Sequence, residues 1–229
     1  MFASSEYFCE LCSRISTNNG INMQNGNHII VRYATDEDVK YAELICKMIY
    51  ESAKARNTGI AKREPSYIAQ KMTSGKAVVA VDGDRLVGFS YIECWEHGDY
   101  VATSGLIVDP DYRRMGLAAR IKEKTFLLAR ERFPYAKIFS ITTSLAVMKL
   151  NTRMGYQPVT LDNLTHDEEF WKGCQGCVNY DVLQRNNRRV CLCYGMLYDP
   201  KQAEQKKPSR WAPYMMSVKN VWNKVFRIK

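Results

Sequence analysis

Val108-Asp109-Pro110-Asp111-Tyr112-Arg113-Arg114-Met115-Gly116-Leu117-Ala118 is the stretch that decides the fold. It follows an apolar run, Val101 to Val108, that reads as a strand. It leads into Ala119 to Arg130, where Ile121, Phe126, Leu127 and Leu128 recur at roughly helical spacing. A strand, a turn carrying Arg-x-x-Gly-x-Ala and a helix together make an anion cradle. The first N–H groups of a helix have no intrahelical partner, and the helix dipole adds partial positive charge there. Gly116 removes a side chain where a phosphate must come close, and Ala118 keeps the wall low. Arg113 and Arg114 add charge-assisted hydrogen bonds. The competing reading is a solvated arginine-rich turn, and the strand–turn–helix context argues against it.

Working outward, His28 to Arg32 reads as a first strand, and Thr35-Asp36-Glu37-Asp38 caps a helix with Val39, Ala42, Ile45, Met48 and Ile49 on one face. Ser52 to Glu64 is a polar, basic connection, and Pro65 opens a short second helix to Met72. Ala77 to Val81 and Arg85 to Trp95, joined by Asp82-Gly83-Asp84, form a hairpin. Lys137 to Thr142 is a strand and Ser144 to Met154 a helix closed by Gly155. Tyr156 to Thr160 and Val190 to Tyr198 are the last strands, with a polar, turn-like Asp181 to Arg189 before them.

The chain has 229 residues and a net charge of +9, unevenly placed. Residues 201–229 hold eight Lys/Arg and one acid, whereas the other 200 residues carry only +2. Basicity therefore belongs to the tail, which excludes a whole-domain nucleic-acid footprint. No segment approaches the ~18 consecutive apolar residues of a membrane span. Residues 1–27 have neither the basic start nor the apolar core of a signal peptide; they read as a disordered extension, with Met23 an equally natural start. Residues 201–229 read as a basic linker followed by an amphipathic helix, with Val218, Val221, Trp222, Val225 and Ile228 at helical spacing. That helix docks on the body or on a second copy in a homodimer, lies on an anionic membrane surface, or orders only on binding.

The Arg113-to-Ala118 pattern resembles motif A of the GNAT acetyltransferases, in which Arg/Gln-x-x-Gly-x-Gly/Ala holds the pyrophosphate of acetyl-CoA. Ile138-Phe139-Ser140-Ile141-Thr142, followed by a helix ending Arg153-Met154-Gly155-Tyr156, is similar to the family's motif B. The order of elements agrees, so the resemblance covers residues 28–200. It implies an α/β fold with a mixed sheet of six to seven strands flanked by helices. It also implies a CoA cradle built from Arg113, Arg114, Met115, Gly116, Leu117 and Ala118. The backbone of Leu106, Ile107 and Val108 would pair with the pantetheine arm, and an N–H near Val108 would stabilise the oxyanion.

Transfer in this family is direct, so an amine must lose a proton and a thiolate must gain one. The family often places a tyrosine general acid four residues before the motif B glycine. This chain has Asn151 there, which can hydrogen-bond pantetheine but cannot donate a proton in that way. No acid or His lies within Val101 to Val108, which leaves Glu93 as first candidate base and His97 as second. Arg56, Lys62 and Arg63 lie in the loop that borders the acceptor pocket in GNAT folds, and they suit a carboxylate-bearing acceptor.

Gly59-Ile60-Ala61-Lys62-Arg63, Leu145-Ala146-Val147-Met148-Lys149 and Phe170-Trp171-Lys172-Gly173-Cys174 look similar to a bacterial GNAT subgroup of arginine synthesis that acylates the α-amine of glutamate. Acetyl-CoA and succinyl-CoA are both donors on that reading. A non-catalytic CoA-binding module and a protein or polyamine acetyltransferase are the rivals.

Cys174-x-x-Cys177 and Cys191-x-Cys193 have zinc-like spacing within a Cys-rich 174–193 segment. Structural zinc, reduced thiols and disulfides compete. Nothing in the sequence suggests export, which disfavours disulfides and points to the cytoplasm.

Overall fold

The structure, a computed structural model, describes residues 29–55 and 63–205. His28, Arg56, Lys62, the 1–27 extension and the tail helix lie outside the described residues.

Seven strands form one sheet in the order β1-β2-β3-β4-β5-β7-β6. β1 (Ile29–Tyr33), β2 (Ala77–Asp82), β3 (Arg85–Trp95) and β4 (Tyr100–Val108) are antiparallel neighbours. β5 (Lys137–Thr142) lies parallel to β4, and β7 (Tyr194–Tyr198) pairs antiparallel with both β5 and β6 (Gln157–Val159). Strand β2, Ala-Val-Val-Ala-Val-Asp, is apolar on both faces because both are covered. Val78 and Ala80 join a core with Leu117, Ile121 and Leu128 of α3 (Leu117–Arg132). Ala77, Val79 and Val81 join the opposite core, with Ile45 and Ile49 of α1 (Ala42–Ala55) and Ile68 and Met72 of α2 (Pro65–Thr73). Ile45, Ile68 and Ile121 are fully buried, each worth about 1.5–3 kcal/mol of transfer free energy.

A third core, around Phe139, Leu164, Trp171 and Leu183, lies beneath α5 (Glu168–Lys172) and α6 (Tyr180–Arg185), which follow α4 (Leu145–Arg153). Here the structure corrects the sequence reading. The segment read as turn-like is helical over Tyr180–Arg185, because Leu183 is buried and Asp181 pairs with Arg185 one turn on. β7 begins at Tyr194 rather than Val190, its first partner being Thr142. The start of the supposed linker is a short helix, α7 (Pro200–Gln205), opened by proline and by the Asp199 carboxylate accepting from the Lys201 N–H. Residues Asp36–Tyr41 form a 3-10 turn ahead of α1, with the Asp38 carboxylate accepting from the Thr35 N–H at 2.8 Å.

Two irregularities create the site. β4 pairs with β5 only from Tyr100 to Ala102, against Lys137 to Phe139. Beyond those three pairs the strands run on without pairing to each other. β4 also bulges: Ile107 faces Phe89 and Ser104 faces Tyr91, so Gly105 and Leu106 together oppose Ser90. Gly105 has φ +66°, and a Cβ there would come within 2.6 Å of the Tyr91 ring, so only glycine fits the bulge.

Candidate active site

The turn after β4 is fastened before the cradle begins. Asp109 accepts from the Asp111 N–H at 3.0 Å and from Arg85, while the Tyr112 hydroxyl donates to Asp82 at 2.8 Å. Arg113 returns its Nε to the Val108 carbonyl at 3.3 Å. The chain then passes through Arg114 (φ +64°) and Gly116 (φ +77°), and α3 starts at Leu117, two residues earlier than the periodicity alone suggests. Among the described residues, the N–H groups from Arg114 to Ala118 have no acceptor. A Cβ on Gly116 would meet nothing within 4 Å. Successive unpaired N–H groups around a left-handed glycine, at the start of a helix of 16 residues, form an anion nest. Arg113, Arg114, Met115 and Gly116 are exposed around it, Leu117 is buried, and Ala118 is half-buried.

From the parting of β4 and β5 a cleft of about 590 Å³ opens, lined by Ala102 to Ile107 on one strand and Phe139 to Thr142 on the other. Leu106 and Ile107 line the cleft from β4, on the side where β5 no longer pairs with it. Val108 does not line the cleft; its carbonyl is taken by Arg113. Asn151 is fully buried and also off the wall. Its Nδ2 donates to Ser140 Oγ at 2.7 Å, and Ser140 is the group that lines the cleft. Asn151 therefore touches the cleft only indirectly, through Ser140.

On the side covered by α1 and α2, Glu93 accepts from the Tyr67 hydroxyl and the Lys71 ammonium, and all but Lys71 line the cleft. Burial raises the Tyr67 phenol, with Tyr91 and Glu93 reinforcing the shift. Arg63 lines the same wall and donates through Nε to the Tyr91 hydroxyl at 3.0 Å. His97 is exposed in the Glu96–Gly98 turn at φ +56° and does not line the cleft.

Cys174, Cys177 and Cys193 form part of the wall, and Cys191 is close enough to raise its neighbours' thiols. Burial first, then this mutual proximity, pushes Cys174 up to about 11 and Cys193 up to about 12. All described cysteines are free thiols, which removes the disulfide reading. No three of them stand in metal-ligating geometry among the described residues, so the zinc expectation is not met as drawn.

Three residues of the site escaped sequence reasoning. Tyr67 and Lys71 lie at i and i+4 on the helix that starts at Pro65, a spacing that puts both on one face. Lys122 lines the cleft from α3 and is only 2% exposed. Its sign in the sequence is a cation one turn past Ala118 and one turn before Phe126, on the flank of an otherwise apolar stripe.

Comparison with known proteins agrees with this geometry. The model of the acetyltransferase (GNAT) family matches residues 46–156, from within α1 to the residue before β6. Among curated proteins no sequence matches the chain. The fold is similar to N-acetylglutamate synthase from Neisseria gonorrhoeae, solved with coenzyme A and N-acetyl-glutamate, at 14% identity and a TM-score of 0.53. The match covers 76% of this chain and 36% of that one, so the chain spans about a third of that enzyme. It is also similar to a Mycobacterium tuberculosis protein solved with CoA, at 18% identity and a TM-score of 0.52, covering 74% and 98% of the two chains. A Salmonella typhimurium protein described as an acetyltransferase, with its cofactor acetyl-CoA, gives 15% identity and 0.52, covering 76% and 95%. Nest, parted strands and bulge lie in or beside the matched segment: residues 46–156, just under half of the chain, match the acetyltransferase (GNAT) family, and the chain has the fold of its solved acetyltransferase neighbours.

Proposed function

We propose that the protein moves an acetyl or succinyl group from CoA directly onto the α-amine of a small acidic acceptor, with glutamate as the first candidate. The observation that carries this reading is Arg63. It stands in the cleft on the α1–α2 side, across the sheet from α3, held by Tyr91. A guanidinium on that wall suits a carboxylate-bearing acceptor, which an arginine recognises by planar, charge-assisted hydrogen bonds. Glu93, positioned by Tyr67 and Lys71, faces the same space and is the carboxylate we assign to receive the acceptor's ammonium and pass its proton to solvent. His97 has no part in this scheme. Arg56 and Lys62 are proposed as further carboxylate contacts on the strength of the sequence.

The test is thiol release from acetyl-CoA and succinyl-CoA across a panel of amino acids, polyamines and peptides. Glutamate or a close acidic relative is expected to lead. Arg63→Ala is expected to raise the KM for that acceptor about 10- to 100-fold, the value of one or two charge-assisted hydrogen bonds, and to leave the KM for acetyl-CoA unchanged. Polyamines or peptides leading the panel would overturn the acidic-acceptor reading.

We also propose Cys174, Cys177, Cys191 and Cys193 as ligands of one structural zinc, supported by their spacing and by the mutual proximity that raises the Cys174 and Cys193 thiols. The residues fit in kind, four sulfur donors, but they must close to about 2.3 Å around one ion and lose their protons. Protein purified without added metal is expected to hold about one equivalent of zinc, lost in the double variant Cys177→Ser, Cys193→Ser. Less than a tenth of an equivalent in the parent sinks the proposal. We propose a cytoplasmic location, which reduced thiols and a CoA donor favour. Among the described residues no helix is long and apolar enough to cross a membrane.

A further inference from the structure

Lys122 is a buried lysine at the floor of the cleft, beside the point where β4 and β5 part. Its ammonium donates to Thr103 Oγ1 at 2.6 Å, and the same hydroxyl reaches the Phe139 carbonyl on the other strand at 3.3 Å. Nζ lies 5.6 Å from the centre of the Tyr156 ring. An ammonium carries three donors, and Thr103 accepts one of them. A well-packed interior satisfies its polar groups. The donors of Lys122 left over at the cleft therefore mark a place where a polar part of a bound molecule sits.

We propose that Lys122 is the general acid of the acyl transfer, giving its proton to the CoA sulfur as the thioester breaks. The acceptor's nitrogen lone pair forms the new C–N bond, and the C–S bond breaks with its pair going to sulfur. One N–H proton of Lys122 then goes to that sulfur, making the thiol and leaving a neutral amine. The amine recovers a proton from solvent when the product leaves, and the proton lost by the acceptor nitrogen goes to solvent, so the cycle balances. This is the proton that the residue at the Asn151 position cannot supply.

The chemistry of the pocket favours the step. Burial holds the Lys122 amine down to about 7. A thiol ordinarily lies near ~8.5 and is lowered beside an ammonium, so transfer from Lys122 to a thiolate runs close to level, whereas an exposed lysine near ~10.4 would have to push it uphill. The groups that face Lys122 do not undo this. β4 offers it only the Thr103 hydroxyl, and β5 contributes Ser140 to the same cleft. The Tyr156 phenol, packed below, is pushed further up by its own burial and stays neutral. The carboxylate on β3, Glu93, is engaged by Lys71 and Tyr67.

The inference rests on the CoA reading of the cradle, and its test separates the two. Free CoA is bound to the protein and its thiolate absorbance is followed against pH, which needs no acceptor. In the parent protein the midpoint of thiolate formation is expected about half a unit to one unit below that of free CoA, the effect of an ammonium within hydrogen-bond reach that shares its proton with the sulfur. Lys122→Met is expected to return it to the free value. The two groups titrate as a pair, so the midpoint for thiolate appearance is the quantity compared. With an active acceptor, Lys122→Met and Lys122→Arg are both expected to lower kcat at least 100-fold while the KM for acetyl-CoA stays within about threefold. A parent midpoint equal to that of free CoA overturns the proposal without any variant, as does an equal shift in parent and Lys122→Met. Failure to bind CoA at all would instead overturn the reading of the cradle.

Discussion

Gly116→Val is expected to weaken acetyl-CoA binding about 100-fold or more while barely changing the melting temperature. The two effects part company because of where the missing side chain would go. Gly116 sits at φ +77°, and a Cβ there touches no atom of the protein. The cost to the fold is therefore the left-handed backbone alone, about 1–2 kcal/mol, or several degrees at most in a chain of this length. The cost to binding is larger. The valine side chain occupies the space in front of the unpaired N–H groups, and each charge-assisted hydrogen bond kept from a phosphate forfeits about 1.5–3 kcal/mol. Calorimetric titration with acetyl-CoA and a thermal melt of the same sample measure both. Binding within threefold of the parent would show that the nest does not hold the pyrophosphate.

Lys122→Met is expected to make the protein more stable near neutral pH, by about 2–4 kcal/mol. The sign follows from linkage. Lys122 titrates at about 7 in the folded chain because burial penalises its charge, and near ~10.4 when unfolded. Between those values the unfolded chain binds more protons, so stability rises with pH across the window from about 7 to 10. Methionine, of similar shape and uncharged, removes the penalty. Urea unfolding at about pH 7 and about pH 10 checks it, and the gap between parent and variant should shrink at the higher pH. A variant less stable than the parent at neutral pH would mean that the Thr103 bond outweighs the burial of the ammonium. A lysine that costs the fold this much, without a carboxylate partner, is the kind of residue expected where stability is exchanged for chemistry.

The framework was legible because it is written in period and punctuation. The unbroken apolar run of residues 77–81, the glycines at 83, 116 and 155, and Pro65 at a helix start are local signals, and the elements they predict stand within a residue or two of the observed ones. The phosphate nest was legible for the same reason, being one contiguous turn. What was not legible depends on contacts far apart in the chain. Leu183 turns a polar segment into a helix by packing on Trp171 and Phe139. Glu93 was singled out, but its partners Tyr67 and Lys71 come from a helix more than twenty residues away. Lys122 looks like one more cation on a charged helix until the sheet is placed over it. Asn151 was read as a ligand contact, and only the fold shows that its amide is spent on Ser140.

Three residue pairs of backbone ladder join β4 to β5, a short seam between a four-strand plate and a three-strand plate. Past that short seam each plate presents an inner selvedge of main chain, sheltered from other molecules by the depth of the cleft and so spared the aggregation that an outer edge invites. An extended chain with amides of its own, laid between the two selvedges, is equivalent to a missing strand. Loading the cosubstrate thus does for this sheet what an added strand does for an open one: it closes the fabric, draws the two plates into one cooperative unit, and makes the loaded protein harder to unravel than the empty one.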